Sequence, residues 1–118
     1  MTFYNNNGAP QFYSDDDEHI FDFNGKALGY LYDDSIYNYS GKYLGWFENG
    51  WFIDRSGYYA FYNEDASGGP MKPMKAMRPM KSMKEMKPMK SMREMRPMKP
   101  MKSSSWSNLT YTSFFKID

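Results

Sequence analysis

The fold turns on His19-Ile20-Phe21-Asp22-Phe23-Asn24-Gly25-Lys26-Ala27-Leu28-Gly29-Tyr30. Two apolar and aromatic runs flank Asp22-Phe23-Asn24-Gly25. An Asx at the first position of a turn caps that turn with its own side chain. A glycine three residues later takes the left-handed conformation at little cost, because it has no Cβ. The four residues therefore read as a type I turn closed by a glycine bulge, a common hairpin connection. The pattern recurs as Asn5-Asn6-Asn7-Gly8, Asn38-Tyr39-Ser40-Gly41 and Asp54-Arg55-Ser56-Gly57, with the glycines 17, 16 and 16 residues apart.

The flanks repeat as well. Five residues before each glycine stand Phe3, Ile20, Ile36 and Phe52, and four before stand Tyr4, Phe21, Tyr37 and Ile53. Three after stand Gln11, Leu28, Leu44 and Ala60, and five after stand Tyr13, Tyr30, Trp46 and Tyr62. Such β-branched and aromatic residues favour strands. Alternation along a strand puts the positions three and five after the glycine on one face, expected to be core in all four copies. Between them lie Phe12, Gly29, Gly45 and Phe61. The two small residues imply a bend or a close backbone approach. Residues 1–67 thus form an all-β head of four hairpins, about eight short strands. A repeat of sixteen is too short for a propeller blade of about forty residues. A lone hairpin is marginal in water, so the four are expected to share an axis in a pseudo-fourfold arrangement with paired edges. Pro10 lacks a ladder donor, which predicts an edge or seam there.

Residues 68–102 read differently. After Gly68-Gly69-Pro70 the chain repeats Met-(Lys/Arg)-x without interruption, with Met71, Met74, Met77, Met80, Met83, Met86, Met89, Met92, Met95, Met98 and Met101. The third position is Pro, Ala, Ser or Glu. An α-helix would wind a three-residue stripe around its axis, and internal prolines oppose it. A strand would scatter the methionines over both faces. Polyproline II has three residues per turn and aligns them on one edge. The expectation is an extended amphipathic rod. If it docks, its Met edge packs on aromatic rings, because burying a Met is worth about 1.5–3 kcal/mol and thioethers favour aromatic contacts. Residues 103–118 form a short packed segment. Ser107 can cap a helix carrying Leu109, Phe114 and Phe115, whereas Thr110-Tyr111-Thr112 favour a strand.

The turn-and-glycine repeat, Gly68-Gly69-Pro70, the basic triplets, and Ser105-Trp106-Ser107 followed by Phe114-Phe115 resemble the bacterial four-fold beta-flower domain family. That resemblance covers nearly the whole chain and implies a fold without an assigned activity. The first copy departs from the pattern, with Pro10-Gln11 where later copies have Ala27-Leu28 or Tyr43-Leu44.

The net charge of +1 hides a split. Residues 1–70 carry three basic and eleven acidic side chains, a balance of −8; residues 71–102 carry eleven Lys/Arg and two Glu, a balance of +9. The halves can bind each other, or the tract can bind an anionic surface such as nucleic acid or acidic lipid. The 118 residues leave no room for a multidomain enzyme. There is no Cys and one His, which excludes disulfides, thiolate chemistry and multi-histidine metal clusters. Asp15-Asp16-Asp17-Glu18 beside His19 lacks the spacing of a calcium loop and reads as a solvated acidic loop. Asp22 and Asp54 read as turn caps rather than as a glycosidase pair. No signal peptide or membrane-spanning run is visible, so the default location is cytoplasmic.

The expectation is a non-enzymatic structural or interaction protein with no cofactor and no metal. Its partner is itself, through docking of the tract on the acidic aromatic head of the same or a neighbouring chain. Two alternatives stand beside it. One is a glycan- or peptide-binding module using exposed tyrosines, with Tyr37, Tyr43, Tyr58 and Tyr59 as candidates. The other is anionic-surface binding by the tract.

Overall fold

The computed structural model describes residues 1–116. Eight antiparallel strands form a closed barrel: β1 (Thr2–Tyr4), β2 (Pro10–Tyr13), β3 (His19–Asp22), β4 (Ala27–Tyr32), β5 (Ser35–Tyr37), β6 (Tyr43–Glu48), β7 (Trp51–Asp54) and β8 (Tyr59–Tyr62). Each strand pairs with its sequence neighbours, and Tyr4 opposite Tyr62 closes the ring. Closure leaves no free edge among these strands.

The four turns are built alike. Oδ1 of Asn5, Asp22, Asn38 and Asp54 accepts the N–H of residues two and four further on, at 2.9–3.1 Å. The N–H of Gly8, Gly25, Gly41 and Gly57 donates to the Asx carbonyl. These glycines sit at φ of +77° to +91°, where a side chain is strained.

The strand faces depart from strict alternation. In every hairpin the register slips by one residue, between Phe3/Tyr4, Ile20/Phe21, Ile36/Tyr37 and Phe52/Ile53. The skipped residue is the position three after the glycine. A bulge puts two residues opposite one and breaks strict alternation. Leu28, Leu44 and Ala60 therefore join Phe3, Ile20, Ile36 and Phe52 in one cluster, while Tyr13, Tyr30, Trp46 and Tyr62 join another. The positions three and five after the glycine are on opposite faces, not one. The first cluster is the barrel interior, since rings on non-adjacent strands meet there: Phe12 and Phe52 have centroids 5.3 Å apart.

The interior also explains the glycines between them. Phe12, Gly29, Gly45 and Phe61 pair across the ladder with Phe3, Ile20, Ile36 and Phe52. The two phenylalanines fill one side of the bore. On the other side a Cβ at Gly29 would stand 2.3 Å from the Tyr37 carbonyl oxygen and 3.2 Å from the Phe115 ring. The missing side chain leaves room for a plug from the far end of the chain.

That plug is α1 (Tyr111–Phe115), whose Phe114 and Phe115 are buried against Phe12, Phe52 and Phe61. Thr110 caps it through a bond from the Ser113 N–H to Oγ1. The expected cap, Ser107, instead donates its hydroxyl to Asp54 Oδ2 at 2.6 Å, and Leu109 is exposed. Tyr111 donates to Asp22 Oδ2 at 3.3 Å, and Asn38 Nδ2 donates to the Phe115 carbonyl at 3.3 Å. Three turn residues thus cap their turns with one side-chain atom and hold the C-terminal segment with the other, Asp22 and Asn38 at the plug and Asp54 at Ser107 ahead of it. The choice of Asp or Asn follows what faces it, a hydroxyl donor or a carbonyl acceptor.

Candidate interaction surface around the barrel

The outer face of the barrel is aromatic. Tyr4, Tyr13, Phe21, Tyr30, Tyr37, Tyr43, Trp46, Trp51 and Tyr62 point away from the bore and yet are buried. What covers them is the tract. Residues 71–103 form neither helix nor strand. Stretched straight they would reach roughly 100 Å, but the molecule measures 36 × 35 × 24 Å. Trp51 lies close to both ends of the tract, with Lys72 Nζ 5.7 Å from its ring and the Trp106 ring at 5.3 Å. The tract makes one circuit.

Its register is nine residues per hairpin. The N–H of Ala76, Glu85, Glu94 and Ser103 donates to the carbonyl of Gly8, Gly25, Gly41 and Gly57, at 2.8–3.0 Å. The carbonyls of Met74, Met83, Met92 and Met101 lie where a Cβ on the same four glycines would be, at 2.0–2.6 Å. The turn glycines thus serve twice, once for their φ and once for their bareness. Ser82 and Ser91 donate to the carbonyls of Phe23 and Tyr39. These six are all the non-proline residues at the third triplet position from 73 to 103; the rest are Pro73, Pro79, Pro88, Pro97 and Pro100. Donors stand where acceptors wait, and proline where none is bonded.

Two glutamates complete the match. Glu85 Oε1 accepts the Ala27 N–H at 2.7 Å, and Glu94 Oε1 accepts the Tyr43 N–H at 2.6 Å. In the first copy the equivalent residue is Pro10, with no N–H, and its tract partner is Ala76. In the fourth copy the Tyr59 N–H donates to the Ser105 carbonyl. Pro10 therefore marks no edge; its missing donor is matched by the missing carboxylate. Glu94→Ala leaves the N–H of buried Tyr43 without its acceptor and is expected to cost about 1–3 kcal/mol in urea unfolding. Glu94→Gln, which keeps an acceptor oxygen, should recover most of the loss.

The second triplet position points along the outer wall. Lys81 and Lys90 ammonium groups lie 4.4 Å from the ring centroids of Tyr13 and Tyr30, and the Arg93 guanidinium 3.7 Å from that of Tyr32. Their charges then meet the acidic loops. Asp15 binds Lys81 and Lys84 at 3.0 and 2.7 Å, Glu18 binds Lys90 at 2.7 Å, and Glu48 binds Lys99 and Lys102.

The first position turns outward. All eleven tract methionines, Met71 to Met101, are 92–94% exposed. The expectation of a Met edge packed on rings is overturned. Directional partners decide the orientation: the third position owns the N–H groups that barrel carbonyls accept, and the second owns cations that ring faces and carboxylates attract. A thioether offers mainly non-directional dispersion. Three edges cannot all face one wall, and the Met edge is left in solvent.

The remaining candidates fall into place. Tyr37 and Tyr43 are buried beneath the tract, Tyr59 is half-buried, and Tyr58 is exposed, as is Tyr32. The acidic loop is used internally: Asp16 takes the His19 ring Nδ1 at 2.8 Å and the N–H groups of Glu18 and His19. Burial opposes ionisation of Asp16, but these bonds outweigh it and hold its carboxyl well below the usual range. Hydrogen bonds from Lys84 and Lys81 lower that of Asp15, and the bond from Lys90 lowers that of Glu18. Tyr39, lying beneath the tract, is pushed up to about 12, by burial first and by Asp16 and Glu18 next. Among the described residues no group of three or more His, Cys, Asp or Glu is placed to hold a metal ion.

The lowered carboxylates set a pH dependence. Each favours the folded state above its ordinary pKa, 3.8 for Asp15 and Asp16 and 4.5 for Glu18, and loses that contribution as pH falls towards its folded value. Stability is therefore expected to be flat from pH 7 to about 5 and to fall below about 4.5. Urea midpoints measured across pH 2–7 check this; a midpoint that rises on acidification contradicts it.

A closed barrel of four Asx-Gly hairpins, encircled by its own C-terminal tract and plugged by α1, defines a structural class. The chain belongs to the 4-fold beta flower protein family, whose model matches residues 1–115. No curated protein matches the chain, and no solved structure does. Among the described residues no helix is long and apolar enough to cross a membrane.

Proposed function

We propose that this protein is a non-enzymatic structural or interaction module in which the basic tract is an intramolecular strap, wound in polyproline II form around the acidic, aromatic barrel. The observation that carries this reading is the six-for-six match between non-proline third positions and barrel carbonyls. Nine residues per hairpin are three whole turns of a three-residue helix, so each copy meets the same tract edge. The strap covers aromatic surface that would otherwise drive association. The same geometry argues against anionic-surface binding as the main role, because cations that bind rings and carboxylates at home are less free to bind phosphates abroad.

Trypsin tests it directly. Lys72, Arg78, Lys87, Arg96 and Lys99 precede proline and resist cleavage, which leaves Lys75, Lys81, Lys84, Lys90, Arg93 and Lys102. The residue after each of these six is one of the six whose N–H is bonded to the barrel. A strapped monomer should keep all six bonds intact and have a native mass of 14.0 kDa. Rapid cutting that leaves a stable head would refute the strap, and a mass that is a multiple of this would place the docking between chains.

A further inference from the structure

Two edges of the tract contact the barrel, and the third is idle. Eleven thioethers stand at every third residue, 92–94% exposed, around the perimeter. No side-chain hydrogen bond among the described residues uses their sulfur atoms. The buried apolar residues, by contrast, are Phe, Tyr, Trp, Ile, Leu and Ala, with no Met. Eleven of the twelve sulfur atoms lie on the outside of the fold.

We infer that this collar is a reversible oxidation site, taking two-electron oxidants of the peroxide class at the methionine sulfur atoms. The thioether lone pair attacks the peroxide, the O–O bond breaks, an S–O bond forms, and the second oxygen leaves as water. Each sulfur is oxidised by two electrons and each peroxide reduced by two. In a core this change is disruptive, since it turns a flexible apolar side chain into a polar one. On the collar it costs the fold nothing, because the strap is held by the other two edges. The collar therefore has a capacity of eleven equivalents, and the perimeter passes stepwise from apolar to polar. Enzymatic sulfoxide reduction reverses the change.

Met1 is the internal control. It is half-buried against the barrel interior, and its Sδ accepts a hydrogen bond from Asn63 Nδ2 at 3.4 Å. It should react after the other eleven.

The inference rests on the strap reading in one respect, that the Met edge takes no part in docking, and the experiment separates the two. The full chain is treated with hydrogen peroxide and followed by intact mass, near-ultraviolet circular dichroism, trypsin resistance and retention on a hydrophobic column. The expected result is addition of eleven oxygens before Met1 takes a twelfth, with an unchanged aromatic spectrum, unchanged trypsin resistance and markedly shorter retention at the eleven-oxygen stage. Methionine sulfoxide reductases should restore the starting mass. The inference is overturned if the aromatic spectrum or trypsin resistance is lost in step with the oxygen count. It is equally overturned if most tract methionines stay unoxidised under conditions that oxidise the urea-unfolded chain. Trypsin sensitivity before any peroxide is added would instead indict the strap.

Discussion

Gly25→Ala is expected to destabilise the protein by about 4 kcal/mol and to open the Lys81 and Lys84 bonds to trypsin. Two effects add. A side chain at φ +91° costs roughly 1–2 kcal/mol. The new Cβ would also stand 2.0 Å from the Met83 carbonyl oxygen, so the tract must lift. Lifting breaks the Glu85 N–H bond to Gly25 and the Glu85 carboxylate bond to the Ala27 N–H, worth about 1 and about 1.5–3 kcal/mol. Gly68→Ala is the control. Gly68 has φ +71° and nothing within 4 Å of its Cβ position, so it carries the conformational cost alone. Urea unfolding of both variants separates the terms. Equal losses, with trypsin resistance intact, would mean that the tract does not rest on the turn.

Phe115→Ala is expected to lose about 3–5 kcal/mol, on the order of 15 °C in melting temperature for a domain of this size. Phe115 is 1% exposed and packs on Phe12, Phe52 and Phe114. Gly29 borders the same space and has no side chain to move into the cavity. Rings on the barrel wall are fixed by strand register and relax little, so the cavity term is kept. Near-ultraviolet melting checks the result. A shift of only a degree or two would show that α1 rests on the barrel mouth without filling it.

The turns were the most legible part of the sequence, because their chemistry is local. Asx, Gly and a four-residue interval suffice to specify the hairpin, and all four repeats obey it. The strand faces were less so. A bulge at the third residue after glycine leaves no mark in the Leu28, Leu44 and Ala60 types themselves, and alternation misassigns everything beyond it. The tract shows the same limit. Its period of three is plain, and three distinct edges follow from it. Which edge faces the barrel depends on acceptors sixteen residues apart on another part of the chain. Hydrophobicity pointed to methionine, whereas hydrogen-bond direction selected the third position. A signal was present: Ser82-Glu85-Pro88 and Ser91-Glu94-Pro97 repeat at nine, and Glu is absent where Pro10 removes the donor. Reading it needs the barrel repeat and the tract repeat side by side. The plug was half legible, since the aromatic pair Phe114-Phe115 demands burial, but only the bore beside Gly29 says where.

Amide hydrogen exchange across the tract distinguishes a bound strap from a loose one. A bound strap gives slow exchange at Ala76, Ser82, Glu85, Ser91, Glu94 and Ser103, and fast exchange at the methionines between them, a protection pattern with the period of the hairpins. Uniformly fast exchange from residue 71 to 103, or protection centred on the methionines, would contradict it.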